Sequence, residues 1–324
     1  MAECYDKAKI KYLLKLRQMF GNHRELAEAD VLIFHCPLDL VLLDFIDKPS
    51  IYYNHRSGRP TTFMFNKIMK IVEPIRKAVL IRDRDWVNNK LKELLKKPDV
   101  IVSNSKFTKR MLKRYFGVDS FVVYPPIDLN HFKPTTSNPS RDYFLSVQRI
   151  DWQKRVTVQI EAFRGLREKL LIVGGMGDKR PNADLLRLTE DCDNIKVLGG
   201  VADKKLVSLY TNAKATIQTG CYEDFGLVPV ESMACGTPVI CVDEGGFKET
   251  IHSPQLGIRI KKPYIKNLRK AVENFDNSKY NPRLLRKEAE KYGFERFKRE
   301  MNYLIQLAVR RHNLVDRSSE RLRG

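Results

Sequence analysis

The sequence predicts an α/β protein of two domains, each a parallel sheet covered by helices. Short apolar runs alternate with amphipathic runs of helical length through the second half of the chain. The first half repeats that alternation more loosely. Between the halves lies KPTTSNPS at 133–140, a turn-forming segment expected to be a linker. At 324 residues, 43% hydrophobic and 30% charged, the chain is long enough and apolar enough for two cores, which sets aside disordered and low-complexity classes.

In order, the first half offers strands in VLIFHCP (31–37), PSIYYNH (49–55), DVIVSN (99–104) and SFVVYPP (120–126), with helical stretches before and between them. The second half offers DYFLSVQR (142–149), KLLIVGG (169–175), IKVLGG (195–200), KATIQTG (214–220) and TPVICVD (237–243). Helices are expected in VTVQIEAFRGLRE, ADLLRLTEDC, KKLVSLYTNA and VPVESMAC between them. Strands this short and apolar, joined by helices, belong in parallel sheets buried on both faces. The end is helical and basic from about Asn281 and frays into DRSSERLRG. The expected domains are 1–139, 140–297, and a segment 298–324 whose helix returns to the first domain. Two open α/β domains place a ligand in the cleft between them, at the carboxyl ends of their strands.

The net charge is +20, and it is regional. The stretch Arg56–Arg114 carries a balance of +12 and the chain from Lys261 onward +10. Two readings stand: solvated helical faces, or attraction to a polyanion such as a phosphorylated acceptor or an acidic membrane surface. Phe63, Phe65, Ile68, Met69, Ile71 and Val72 alternate with the cations, as in a peripheral membrane helix, or else pack inward in a soluble one. A nucleic-acid partner is not expected, because the run lacks aromatics spaced as a stacking platform. No apolar run approaches the ~20 residues of a membrane span. The opening MAECYDKAKIKYLLKL has no signal-peptide core, so a cytoplasmic protein, peripheral at the membrane face if attached at all, is expected. Six cysteines without a CxxC pair argue against a disulfide scaffold or a structural zinc site.

The chemistry concentrates in Glu223-Asp-Phe-Gly-Leu-Val-Pro-Val-Glu231, which follows a predicted strand and opens a predicted helix. Gly226 permits close approach of backbone to ligand, and Pro229 suits a first helical turn. The amides of Phe225, Gly226 and Leu227 would then face outward at a helix N-terminus, a ready phosphate site. Glu231 is expected in the first turn, within reach of ribose hydroxyls, and Glu223 in the loop, near whatever the phosphate carries. Strand 142–149 ends in Arg149, and Lys154 follows before a helix near Arg155. Arginine grips two phosphate oxygens and lysine supplies a mobile charge, so the two cations complete a diphosphate clamp if the strand order is Rossmann-like.

These strings, with GTPVI, RIDWQK and DVIVSNSKFTKRMLKRYFGVDSFVVYPPIDLNHF, resemble family 4 glycosyltransferases from about Ala29 to Phe297. The resemblance implies a GT-B fold, two Rossmann-like domains facing a central cleft, and a retaining transfer from a nucleotide-sugar donor without a metal. It implies that Arg149 and Lys154 hold the diphosphate, Glu223 contacts sugar hydroxyls and Glu231 binds the ribose. His55, in IYYNHRSGR, is implied near the transferred sugar. YYNH followed by an arginine most resembles mannosyltransferase-like members, with GDP-mannose as candidate donor and a glycan or lipid-linked acceptor. The chain departs from the family in opening with a helix rather than a strand and glycine-rich loop, so a truncated first domain is expected. Gln148 and Arg155 also stand where glycines are common. The alternative function is a non-catalytic nucleotide-sugar-binding module with a degenerate acceptor domain.

Other signals are weaker. Asp83-Arg84-Asp85 matches a metal-binding DxD but lies in a helical, mixed-charge run. GGMG at 174–177 lacks the lysine and hydroxyl of a P-loop and reads as a turn that lines the nucleotide site. His35, at a strand end, reads as a packed core histidine. No metal ligand set and no cofactor are expected.

Overall fold

A computed structural model describes residues 28–37, 39–55, 89, 91–150, 152–174 and 187–321, with side chains to Leu314. The DxD aspartates and the basic, apolar stretch that carries the membrane expectation lie outside the described residues. The chain divides into two compact units: Met1–Asn104, Thr108–Val122 and Met301–Gly324 form one, and Ser105–Phe107 with Val123–Glu300 form the other.

In the first unit, strands β1 (Leu32–Phe34), β2 (Ser50–Asn54), β3 (Val100–Ser103) and β4 (Phe121–Val122) form a parallel sheet in the order β1-β2-β3-β4. Every residue of β2 and β3 is buried, which is why they read as continuous apolar runs rather than alternating ones. Leu32, Phe34, Tyr52 and Ile101 pack with Leu40–Leu42 and Leu95 in one core. Helix α1 (Lys106–Phe116) adds Leu112 to that core and keeps Arg110, Lys113 and Arg114 exposed.

In the second unit, six strands lie parallel in the order β10-β9-β8-β5-β6-β7. They are β5 (Tyr143–Val147), β6 (Lys169–Val173), β7 (Ile195–Gly199), β8 (Ala213–Gln218), β9 (Val239–Val242) and β10 (Gly257–Ile260). Helices α2 (Val156–Phe163), α3 (Asp203–Asn212), α4 (Leu227–Ala234), α5 (Phe247–Thr250), α6 (Ile265–Glu273) and α7 (Pro282–Glu290) connect and follow them. Strand β10 is an addition to the sequence reading. It is a four-residue edge strand, and Gly257 lies so close to Val239 that a Cβ there would sit 1.9 Å from the Val239 carbonyl oxygen.

The division also falls earlier than 139/140. Residues 123–132 belong to the second unit, held there by backbone polar groups that need partners. Ile127 N–H donates to the Tyr292 carbonyl (3.0 Å), and the Arg286 guanidinium donates to the carbonyls of Phe132, Ala234 and Leu129. The segment 133–140 is anchored as well: Thr135 N–H donates to Thr211 Oγ1 and Ser140 N–H to Asn212 Oδ1, both near the end of α3. The long helix α8 (Phe294–Arg321) enters the first unit at Met301, where Arg311 donates to the Asp99 carbonyl at 2.9 Å. Among the described residues, no helix is long and apolar enough to cross a membrane.

Candidate functional site

The strand order of the second unit fixes where a ligand belongs. From β5 the chain winds outward through β6 and β7; from its neighbour β8 it winds the other way through β9 and β10. The carboxyl ends of β5 and β8 therefore flank the switch point of a doubly wound sheet, the usual place for a nucleotide. The two loops there carry Arg149 and Lys154, and Glu223 to Leu227.

Hydrogen bonds join these loops. Cys221 N–H donates to the Gln153 carbonyl (2.9 Å), and Thr219 Oγ1 donates to the Lys154 carbonyl (2.8 Å) while accepting from Gln159 Nε2 (2.7 Å). Thr219 and Gln159 are fully buried, so this link is shielded from water. On that support Lys154 Nζ meets Glu223 Oε2 at 2.7 Å, with each side chain 21% exposed. The neighbouring Arg155 takes the left-handed conformation (φ 51°, ψ 41°), which explains the glycine common there among the proteins this chain resembles. Its guanidinium reaches the Glu244 carboxylate at 3.2 Å and the Thr219 carbonyl at 3.3 Å.

The Glu223 loop rests on a glycine pair. Gly246 N–H donates to the Glu223 carbonyl (2.8 Å), and a Cβ on Gly245 would lie 2.4 Å from that same oxygen. Gly226, at φ +93°, turns the chain into α4 without any side-chain cap on the helix. First-turn amides are orphan donors by helix geometry, and here no capping side chain takes them up. Phe225 contributes only backbone to such a site, because its ring is buried, 5.4 Å from those of Tyr124 and Tyr292. Leu227 is exposed.

Glu231 departs from expectation. It is the fifth residue of α4, in the second turn, and no acidic residue occupies the first. Tyr210 Oη donates to its Oε2 at 2.7 Å. Burial raises the Glu231 carboxyl above the usual carboxylate range, against the lowering effects of Tyr210 and His131. The same burial holds the Tyr210 phenol well above its ordinary value and pushes the Cys235 thiol to about 12. The structure thus brings Lys154 to Glu223, leaves Arg149 exposed two residues past β5, and gives Glu231 to a phenol. Tyr210 and Glu244 were not legible beforehand. The first sits on the inward stripe of α3, where a tyrosine reads as core, and the second is a lone acid after a strand.

His55 belongs to the first unit, one residue past β2. Its Nε2 lies 2.7 Å from His35 Nδ1, and the two ring centroids are 4.9 Å apart. His35 is exposed rather than packed in the core: it follows Ile33, the exposed residue of β1, by the two-residue period of a strand. Of GGMG, only Gly174 is described. Its N–H donates to the Gly199 carbonyl, and a Cβ would lie 1.8 Å from the Gln148 carbonyl oxygen. A cavity of about 500 Å³ lies at the outer edge of the sheet, lined by Arg259, Asn274, Asp276 and Tyr280 among others. None of the residues named for the chemistry lines it.

Comparison with known proteins gives the family and the fold. A family model described as "Glycosyl transferases group 1" matches residues 128–296, and one described as "Glycosyltransferase Family 4" matches 6–131. The chain is 28% identical over 207 residues to the human alpha-1,3/1,6-mannosyltransferase ALG2, covering 55% of this chain and 50% of that one. It is 27% identical over 223 residues to a Dictyostelium discoideum protein named GDP-Man:Man(3)GlcNAc(2)-PP-Dol alpha-1,2-mannosyltransferase, covering 62% and 39%. The chain thus spans about half the length, or less, of these curated relatives. In fold it is similar to sucrose-phosphate synthase from Thermosynechococcus elongatus, at TM-score 0.74 and 19% identity over 91% of this chain and 77% of that one. It is also similar to Anabaena HepE in complex with UDP, at TM-score 0.70 and 17% identity over 87% and 80%.

Proposed function

Because this chain belongs to the glycosyl transferases group 1 family, we propose that it moves a hexose, mannose first among candidates, from a nucleotide-diphosphate sugar to a glycan or lipid-linked acceptor. The observation that carries this reading is the Lys154–Glu223 pair at the switch point, beside a helix start that no side chain caps. The names of the relatives agree with it, in mannosyl chemistry and in a dolichyl-diphosphate acceptor.

The physical demand of the reaction is electrostatic. Negative charge grows on the leaving diphosphate while positive charge grows on the sugar ring. Lys154, Arg149 and the amides of Phe225–Leu227 stabilise the first. A lysine already held by a carboxylate is oriented before the donor arrives, so less ordering remains to be done on binding. Glu223 takes sugar hydroxyls, His55 orients the sugar, and Glu231 takes the ribose with the carboxylate oxygen that Tyr210 leaves open to it. A leaving-phosphate oxygen accepts the acceptor's proton, and configuration at the anomeric carbon is retained. These cations do the work that a divalent ion does in other transferases, so transfer persists in a chelator. Attachment is peripheral, at an anionic membrane face, through the basic stretch that begins at Arg56.

The test is a screen of nucleoside diphosphates and their sugars by thermal shift, followed by transfer to lipid-linked oligosaccharides with and without EDTA. The right donor at a hundredfold excess over its dissociation constant stabilises the fold by about 2.7 kcal/mol. Donor binding without transfer to any acceptor would favour the non-catalytic binding module. Loss of transfer in EDTA, restored by manganese, would return attention to Asp83 and Asp85. Co-sedimentation with acidic liposomes that collapses in salt supports the attachment, and indifference to such liposomes at low salt removes it.

A further inference from the structure

The ends of β1 and β2 carry three rings on one face. The parallel register sets Phe34 opposite Tyr52, so His35 falls opposite Tyr53, and His55 follows Tyr53 by the two-residue period of a strand. Continued one residue past each strand, that pattern sets His35, Tyr53 and His55 on one side. The distances agree: Tyr53 to His55 is 4.5 Å between centroids, Tyr53 to His35 is 5.9 Å, and the imidazole planes lie 27° apart, edge to edge. Tyr53 is buried and forms the floor; both histidines are exposed above it. The backbone beneath is fixed too. Asn104 Nδ2 donates to the His55 carbonyl at 3.1 Å, and Asn104 N–H donates to the Asn54 carbonyl at 3.1 Å.

We propose that His35 is a positioning residue for His55, holding its ring orientation and its tautomer through the Nδ1 to Nε2 hydrogen bond. This rests on the reading of His55 as a sugar-orienting group. Two ring nitrogens 2.7 Å apart share one proton, since two N–H groups pointed at each other repel. The tautomers are then coupled. When His35 Nδ1–H donates, His55 carries its own proton on Nδ1; when His55 Nε2–H donates, His55 Nδ1 is the acceptor. His35 thereby sets whether the His55 ring offers a donor or an acceptor to a sugar hydroxyl, and the tilted contact with Tyr53 fixes where that atom lies.

The experiment uses the full chain labelled with 15N at histidine, with His55 signals assigned by their loss in His55→Ala. The substitutions are chosen by geometry: an asparagine amide reproduces the Nδ1 position of histidine, and a glutamine amide the Nε2 position. His35→Ala and His35→Gln should shift the His55 ring nitrogens towards the tautomer mixture of free imidazole, and His35→Asn should retain the wild-type pattern. In transfer assays, His35→Ala should lower kcat by about 10- to 100-fold with the donor KM little changed, and His35→Asn should restore most of it. His55 ring signals indifferent to His35→Ala would overturn the proposal, as would a loss of kcat equal in the Asn and Gln variants. Ring spectra that answer to His35 in a chain that transfers no sugar would uphold the pair and break the functional reading alone.

Discussion

Glu223 and Glu231 belong to one motif, eight positions apart, and their surroundings are opposite. The loop around Glu223 matches charge with charge: Lys154 at 2.7 Å, both side chains 21% open to water. The second turn of α4 matches a carboxylate with a phenol, in a setting that resists ionisation. A pair partly open to water contributes little to folding, because solvent screens it and two long side chains must be held still. A buried carboxylate contributes through what it satisfies and costs through what it loses in solvation. The loop is thus free to serve a ligand, whereas the helix turn is tied to the stability of the fold.

The largest expected effect separates function from stability at the first of these sites. Lys154→Ala should reduce transfer by about 10²- to 10³-fold, the usual result of removing one preorganised donor from a developing anion. Its melting point, and that of Glu223→Gln, should correspond to less than about 1 kcal/mol of change. A collapse of stability in either variant would erase the contrast with Glu231.

At Glu231 the order reverses. Glu231→Ala strands the Tyr210 hydroxyl in the core and should cost about 1–3 kcal/mol in denaturant unfolding, together with weaker nucleotide binding. Glu231→Gln keeps an acceptor for Tyr210 and removes the buried charge, so it should be at least as stable as the parent at neutral pH. Burial raises the Glu231 pKa, so the folded state holds this proton more tightly than the unfolded chain does. Its contribution is full below the ordinary carboxylate range and is lost as pH rises through the raised value. The melting points of parent and Glu231→Gln should therefore diverge over that interval, with the parent falling as pH increases. A parent that gained on the variant with rising pH would show that Glu231 is stabilised as the anion.

The join between the two regions is Gly226. Gly226→Ala places a Cβ 3.0 Å from the Phe247 ring in a left-handed conformation, and should cost about 1–2 kcal/mol in chemical denaturation. The smallest effect is expected at Arg155→Gly. Relief of its left-handed backbone, worth about 1 kcal/mol, offsets the loss of the Glu244 pair, so the net change should lie within about 0.5 kcal/mol. A large loss would mean that the guanidinium bonds to Glu244 and Thr219 hold the two loops together.

The sequence by itself determined the strand–helix alternation, the parallel sheets and the Glu223–Glu231 motif with its flanking cations. These are local: β-branched runs buried on two faces, a glycine before a proline-containing helix start, charges at strand ends. It also determined that His55 ends a strand. The tertiary structure alone decided who partners whom. Lys154 reaches Glu223 across 69 residues and Tyr210 reaches Glu231 across 21, and no periodicity encodes a side-chain bond over such intervals. His35 meets His55 rather than the core because the register of β1 on β2 sets position 35 beside Tyr53, on the face opposite Phe34 and Tyr52. The unit boundary moved from the turn-rich 133–140 to Val123 for the same reason. Turn residues mark where a chain bends, but the partners of its buried carbonyls and amides decide which body it joins.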